Sequence, residues 1–198
     1  MKDNFLVYSF VIIAFVAGLV CGGMAASALA PSEKTALLSY VKAFFESMDP
    51  AGMLDLGVLL YSSLFSNLKA VFIFWFLGLT IVGFPVIYGF VFARGFVIGF
   101  VIGFFAEEAG ARGALFALAS ILPHSIVFVP AYLSLGGIAA SFSLFLARGR
   151  VWRTTAMGRL VAGYTVLFLL LGLLLVLSSA IETYISPILM RYASSLLK

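Results

Sequence analysis

The chain has 198 residues, of which 64% are hydrophobic and 10% are charged, and its mean hydropathy is +1.19. Soluble domains are about 45–50% apolar and about 25% charged, so this composition excludes a soluble protein and predicts several membrane-spanning helices. The net charge of +4 comes without a basic patch interleaved with aromatic residues, so we predict no nucleic-acid partner, and the single cysteine excludes an internal disulfide.

The first apolar run, residues 5–30, is long enough to cross a bilayer. The small residues at 25–30 resemble a signal cleavage site, so a cleaved signal peptide is the competing interpretation. Gly18, Gly22 and Ala26 form a small-residue face that suits packing between membrane helices. That face favours a retained span.

Two amphipathic segments flank the apolar runs. After Pro31, residues 32–48 place their apolar side chains on one helical face, which predicts a helix lying at the membrane interface. An ordinary loop helix packed on the bundle is the alternative. A second amphipathic segment is predicted at 186–197, where Pro187 follows Ser186.

The next apolar stretch contains one charge, Arg94, and two divisions of it compete. In one, a span at 69–91 turns in a hairpin near 92–95 and continues as a short helix at 94–107. In the other, Pro85 breaks the stretch and the next span carries Arg94 inside the membrane. We predict the hairpin, with Arg94 extending to the membrane surface, because an arginine at mid-depth is costly.

A glycine repeat follows Arg94. Gly95, Gly99 and Gly103 are four residues apart, so they share one helical face and predict a helix-packing groove. We expect the groove to receive another helix of this chain, for which the segment around Pro123 and His124 is a candidate. A homodimer face is the alternative, which leaves a homo-oligomer open.

The apolar segment 114–147 comes after a polar turn at 107–113 and is longer than one span. Pro123 and Pro130 are predicted helix breaks, as is Pro85 earlier in the chain. We therefore expect a broken or re-entrant segment that is buried in protein or lines a cavity.

A last span is predicted at 160–181, after a loop with four arginines between residues 148 and 159. The positive-inside rule places this loop and the N-terminus in the cytoplasm. The sequence thus predicts an all-α fold: a polytopic integral membrane helix bundle of about five transmembrane helices, forming a single transmembrane domain over residues 1–198.

Four residues are candidates for an intramembrane polar cluster: Arg94, Glu107, Glu108 and His124. In that cluster His124 would act as a proton relay or gate, whereas the competing interpretation gives each residue a structural role. The sequence contains no set of nucleophile, base and orienting residue and no metal-ligand spacing. We therefore predict no enzyme, no cofactor and no metal, and an intramembrane enzyme is the least favoured hypothesis.

A family resemblance rests on the order of several short motifs. The tracts Ser66-Asn67-Leu68-Lys69 and Ile121-Leu122-Pro123, with the glycine repeat between them, resemble the stage II sporulation protein M family in its endospore-former members. Residues 79–87 and 184–190 are similar as well. Distant relatives read Pro-His-Gly with an acidic residue downstream, whereas this chain has Ser125 in place of the glycine and no acid nearby. This difference weakens a proton-relay or metal role for the histidine.

The resemblance implies a multi-pass protein of the mother-cell membrane at the sporulation septum that is not itself an enzyme. The implied partners are the lipid bilayer and the stage II sporulation proteins D and P, two peptidoglycan-remodelling enzymes that act during engulfment. The implied role is a scaffold that recruits and anchors these enzymes. A channel- or permease-like transport component is the alternative, motivated by the broken segment, His124 and Arg94.

Overall fold

The structure is a computed structural model that describes residues 2–47, 56–149 and 157–184. Its helices are α1 (Lys2–Ser27), α2 (Pro31–Ser47), α3 (Leu56–Gly78), α4 (Gly83–Ala147) and α5 (Met157–Tyr184). The described residues contain no strand, so the all-α prediction is confirmed. The amphipathic segment predicted at 186–197 lies outside the described residues.

Five helical stretches are long and apolar enough to cross a membrane, as judged by length and composition. They are Phe5–Ser27, Leu60–Gly78, Gly83–Leu115, Ser125–Ala147 and Gly158–Ser179. The predicted number of spans is therefore confirmed, and α2 is the one described helix outside this set.

The predicted hairpin near 92–95 is wrong, and so are the span boundaries 69–91 and 94–107 that depend on it. The chain turns at 79–82 instead, between the end of α3 and the start of α4. Pro85 lies in the first turn of α4, where a missing backbone N–H breaks no helical hydrogen bond. It therefore follows the turn without breaking a helix.

The segment 114–147 is helical throughout, so the prediction of a broken segment is also wrong. The helix continues through Pro123 and Pro130, because membrane helices re-satisfy the backbone groups that a proline frees. The interruption lies earlier, at Ala109 and Gly110, inside the predicted polar turn. Gly110 adopts a φ of +59°, a conformation that glycine reaches without a steric penalty.

This interruption divides α4 into two helices, α4a (residues 83–108) and α4b (residues 111–147). They run antiparallel, since the start of α4a contacts the end of α4b through Phe84 and Ser143. Helix α1 runs parallel to α4a, with Phe15 beside Gly95 and Gly23 beside Gly103. Together α1, α4a and α4b form a three-helix unit.

The remaining helices, α3 and α5, pack antiparallel to each other and against this unit. Helix α3 ends against both α4b and α5, where Gly78 lies beside Ala139 and the hydroxyl of Tyr164. The shared core consists of buried apolar side chains from α1, α3, α4 and α5. Its largest fully buried apolar members are Val11, Phe74, Ile87, Val91, Phe128, Leu135, Phe168 and Leu175.

These helix directions give the bundle two chemically different ends. One end, here called the basic end, carries Lys2, Arg148 and Arg159. The opposite end, here called the acidic end, carries the exposed residues Glu107 and Glu108 at the close of α4a. The exposed Arg112, near the start of α4b, lies at the same end as these two carboxylates.

Candidate functional site

Helices α1 and α4a pack closely along two facing rows of small residues. A methyl group added at Gly99 would meet the backbone of Leu19, 2.7 Å from its carbonyl carbon. One added at Gly22 would lie 2.8 Å from the backbone nitrogen of Phe100. Real Cβ atoms do not approach backbone atoms this closely, so the backbones touch only because both rows lack side chains. We call this contact the glycine seam.

The partner of the Gly95, Gly99 and Gly103 groove is therefore α1, and the expectation that the segment around Pro123 and His124 fills it is wrong. Gly18 and Gly22 supply the facing surface. The sequence displays both small-residue rows, but a row of small residues does not say which other row it packs against. The glycine repeat lies inside the monomer.

An aromatic ridge runs beside the seam on α4a. Phe92, Phe96, Phe100 and Phe104 follow one another at four-residue spacing, with successive ring centroids 6.3–6.4 Å apart. Phe104 is buried at 4% exposure. The ridge adds apolar contact next to a seam that has no side chains of its own.

Arg94 lies within the span of α4a, eleven residues after Gly83, so it is about 16 Å along the helix at 1.5 Å per residue. Its guanidinium carbon lies 4.4 Å from the centroid of the Phe128 ring, which is a cation–π arrangement. Its Nε is buried and has no hydrogen-bond partner among the described residues. The prediction that Arg94 extends to the membrane surface is wrong, because the side chain packs against α4b.

The four residues of the predicted polar cluster are not assembled at one place. Glu107 lies at the acidic end, thirteen residues from Arg94 and so about 20 Å along α4a. It forms an exposed ion pair with Lys34 of α2, with Nζ and Oε2 3.4 Å apart. Glu108 is exposed beside it. His124 is in α4b, one helical turn from Phe128, and its side chain lies outside the described part.

A buried polar contact between α3 and α5 was not predicted from the sequence. Asn67 is 4% exposed, and its side-chain amide donates to the hydroxyl of Ser179 at 2.8 Å and to the carbonyl of Leu175 at 3.4 Å. Ser179 in turn donates to the same carbonyl at 3.1 Å. The available signal was an asparagine inside an apolar run, since buried polar groups in membrane helices need a partner.

Two more contacts join α3 to α5 nearer the basic end. The indole N–H of Trp75 donates to the hydroxyl of Thr165 at 3.1 Å. The hydroxyl of Tyr164 donates to backbone carbonyls of α3, with Phe74 at 3.2 Å and Trp75 at 3.0 Å. Trp75 and Tyr164, like Asn67, each connect two helices by a side-chain hydrogen bond.

One buried serine fixes the turn between α3 and α4. The hydroxyl of Ser143 donates to the carbonyl of Thr80 at 2.7 Å and accepts from the backbone N–H of Phe84 at 3.0 Å. The first N–H groups of a helix have no partner within the helix, so this contact satisfies one of them. The side chain of Ser143, in α4b, thereby fixes the residue at which α4a begins.

The described residues contain no group of three or more His, Cys, Asp or Glu that could hold a metal ion.

The model of the SpoIIM family, described as stage II sporulation protein M, matches residues 11–187. No curated protein and no solved structure matches the chain significantly.

Proposed function

Because the chain belongs to the stage II sporulation protein M family, we propose that it is a non-catalytic membrane scaffold of the sporulation engulfment machinery. In this proposal it recruits and anchors peptidoglycan hydrolases at the septum, from the mother-cell membrane. The proposed partners are the stage II sporulation proteins D and P.

The observation that carries the proposal is the use of polar groups inside the bundle. Asn67, Trp75, Ser143 and Tyr164 each form a hydrogen bond between elements of the fold. Buried polar side chains that bridge membrane helices rigidify the bundle. A framework held in this way, together with the glycine seam, suits a protein whose task is to position others.

The two ends of the bundle support an orientation. The positive-inside rule assigns the basic end to the cytoplasm, which puts the acidic end and α2 on the outer side. Peptidoglycan lies on that side. Helix α2 is exposed along most of residues 31–40 and is joined to α4a by the Lys34–Glu107 pair. It therefore offers a surface that an extracytoplasmic enzyme can reach.

Co-purification tests the proposal. The tagged chain is isolated in mild detergent from sporulating cells, and D-type and P-type hydrolases are detected by immunoblot. We expect both to co-elute with the wild-type chain and with Gly89→Leu, whose added side chain meets open space. We expect their loss with Gly99→Leu, which disrupts the glycine seam. Elution of the intact chain without either hydrolase would contradict the proposal.

A channel- or permease-like function is the second candidate, and Arg94 is the observation that favours it. A charged side chain inside a span faces either the bundle interior or a water-filled cavity, and the Nε of Arg94 has no hydrogen-bond partner among the residues that the structure describes. The helical course of α4b removes the broken segment as a further argument. Cysteines placed at successive positions of α4b that face Arg94 test it with a water-soluble thiol reagent. Reaction along that face would support transport, and uniform protection would contradict it.

A further inference from the structure

The side chains of residues 66–69 in α3 face two environments, the bundle interior and the outer surface of the bundle. Asn67 is buried and bonds to α5, whereas Ser66 and Lys69 are exposed. Ser62 is exposed as well. The spacing of Ser62, Ser66 and Lys69 is i, i+4 and i+7, so the three side chains share one face of α3. We call this surface the polar face, and it is directed away from the bundle.

Lys69 lies at the middle of its span. It is nine residues from each end of Leu60–Gly78, which is about 14 Å in either direction at 1.5 Å per residue. The hydrocarbon core of a bilayer is about 30 Å thick, so lipid headgroups on both sides are farther away than a lysine side chain extends. A lysine at this depth is costly unless a counter-charge meets it.

The described side chains offer no counter-charge at that depth. The sequence contains no Asp or Glu at 4–32, 56–106 or 109–181. The carboxylate that α5 carries belongs to Glu182, after the end of the candidate span Gly158–Ser179. Gly172 of α5 packs beside Val71 of the antiparallel α3, so the backbone of Glu182 is about 12 Å from the level of Lys69. The carboxylates inside a candidate span, Glu107 and Glu108, are exposed at the acidic end. A second copy in the same membrane carries the same residues at the same levels, so self-association does not supply the missing charge either.

We propose that the polar face of α3 is a docking surface for a membrane-spanning helix of another protein, one that carries an Asp or Glu at mid-depth. The carboxylate would pair with Lys69, and the small side chains of Ser62 and Ser66 would let the two helices approach closely. Tyr61 and Phe65 are exposed at 69% and 60%, and their stacked rings, 6.1 Å apart, form one wall of the surface. The inference deepens the scaffold proposal and rests on it for the existence of a membrane partner.

Site-specific photo-crosslinking in sporulating cells tests the docking surface. A benzophenone amino acid replaces Ser66 in the full chain, and the control replaces Val166, an exposed residue of α5. We expect Ser66 to give an adduct with one membrane protein that has an Asp or Glu within its spanning helix, and Val166 not to give it. Lys69→Met should reduce the adduct about tenfold, the effect of losing one interhelical charged contact, and Lys69→Arg should retain it.

Charge reversal identifies the contact. Lys69→Glu should abolish the adduct, and replacement of the partner's acid by Lys should restore it. Crosslinks to lipid alone, to a second copy of this chain, or to a protein without a spanning acid would each overturn the inference, as would an adduct unaffected by Lys69→Met. If hydrolases still depend on this chain for septal localisation while Ser66 gives no such adduct, the docking surface is wrong and the scaffold stands. If they do not depend on it, the scaffold itself fails.

Discussion

The side-chain amide of Asn67 in α3 donates a hydrogen bond to the hydroxyl of Ser179 in α5, with 2.8 Å between the nitrogen and oxygen atoms. Both residues are buried, at 4% and 1% exposure. The contact joins two long apolar helices at the end opposite to the hydrogen bonds of Trp75 and Tyr164. It therefore fixes the relative position of α3 and α5 along their axes.

A double-mutant cycle on this pair should reveal coupling. Asn67→Ala and Ser179→Ala should each lower the free energy of unfolding, and the double variant should lose less than the sum because the shared hydrogen bond is removed only once. We expect a coupling of about 0.6–2 kcal/mol, the range for interhelical hydrogen bonds in membranes. Unfolding in mixed detergent micelles measures it, and strictly additive losses would show that the pair does not interact.

Gly99→Leu should destabilise the monomer itself. A side chain at this position has to displace the backbone of Leu19, so the expected loss is about 3 kcal/mol or more in the free energy of unfolding. Gly89→Leu is the matched control on the same helix, and it should change stability by about 0.5 kcal/mol or less. A Gly99→Leu monomer as stable as the wild type that merely fails to dimerise would place the seam between subunits.

Two serines two residues apart in α4b should respond differently to replacement by alanine. Ser143→Ala should cost about 1–3 kcal/mol because it removes the hydroxyl that the N–H of Phe84 donates to and leaves the carbonyl of Thr80 with the N–H of Gly83 alone. The hydroxyl of Ser141 is buried without a hydrogen-bond partner among the described residues, so Ser141→Ala should be neutral or stabilising. Equal losses for the two variants would argue against the Ser143 contact.

A disulfide can report the parallel course of α1 and α4a. A Cβ atom at position 103 would lie 3.1 Å from that of Ala26 and 2.9 Å from the Cα of Gly23, so the two helices have to move slightly apart. That movement brings the two Cβ atoms towards the separation of about 3.8 Å found in disulfides. In a Cys21→Ser background, Ala26→Cys with Gly103→Cys should therefore form an intramolecular crosslink on mild oxidation. Ala26→Cys with Gly89→Cys should not, because Gly89 is fourteen residues away, about 21 Å along the helix. The reverse outcome would mean that α1 runs antiparallel.

The sequence was sufficient for the helical class and the number of spans, because long apolar runs of about twenty residues leave few alternatives. It misplaced the boundaries around Arg94. The prediction placed the Arg94 guanidinium at the membrane surface because a charge inside the bilayer is costly in free energy. In the structure the guanidinium lies against the ring of Phe128, 34 residues later in the chain. The turn at 79–82 lies next to Gly83 and Pro85, so these two residues indicate its position better than Arg94 does.

The pairing of helices was the part that the sequence left undetermined. Gly18 and Gly22 predict a packing face just as Gly95 and Gly99 do. The sequence does not indicate, however, that these two rows of small residues pack against each other. Likewise, Asn67 and Ser179 are separated by more than one hundred residues, and nothing local to either indicates the other. Such contacts depend on how the helices are arranged in space.

Septal localisation of the hydrolases tests the central claim most directly. Fluorescent fusions of the D-type and P-type hydrolases are imaged in sporulating cells that carry the wild-type chain, Gly99→Leu, Gly89→Leu or no copy. The scaffold account predicts septal foci with the wild type and Gly89→Leu, and dispersed fluorescence with Gly99→Leu or no copy. Normal septal foci of both hydrolases in cells that lack the chain would contradict it.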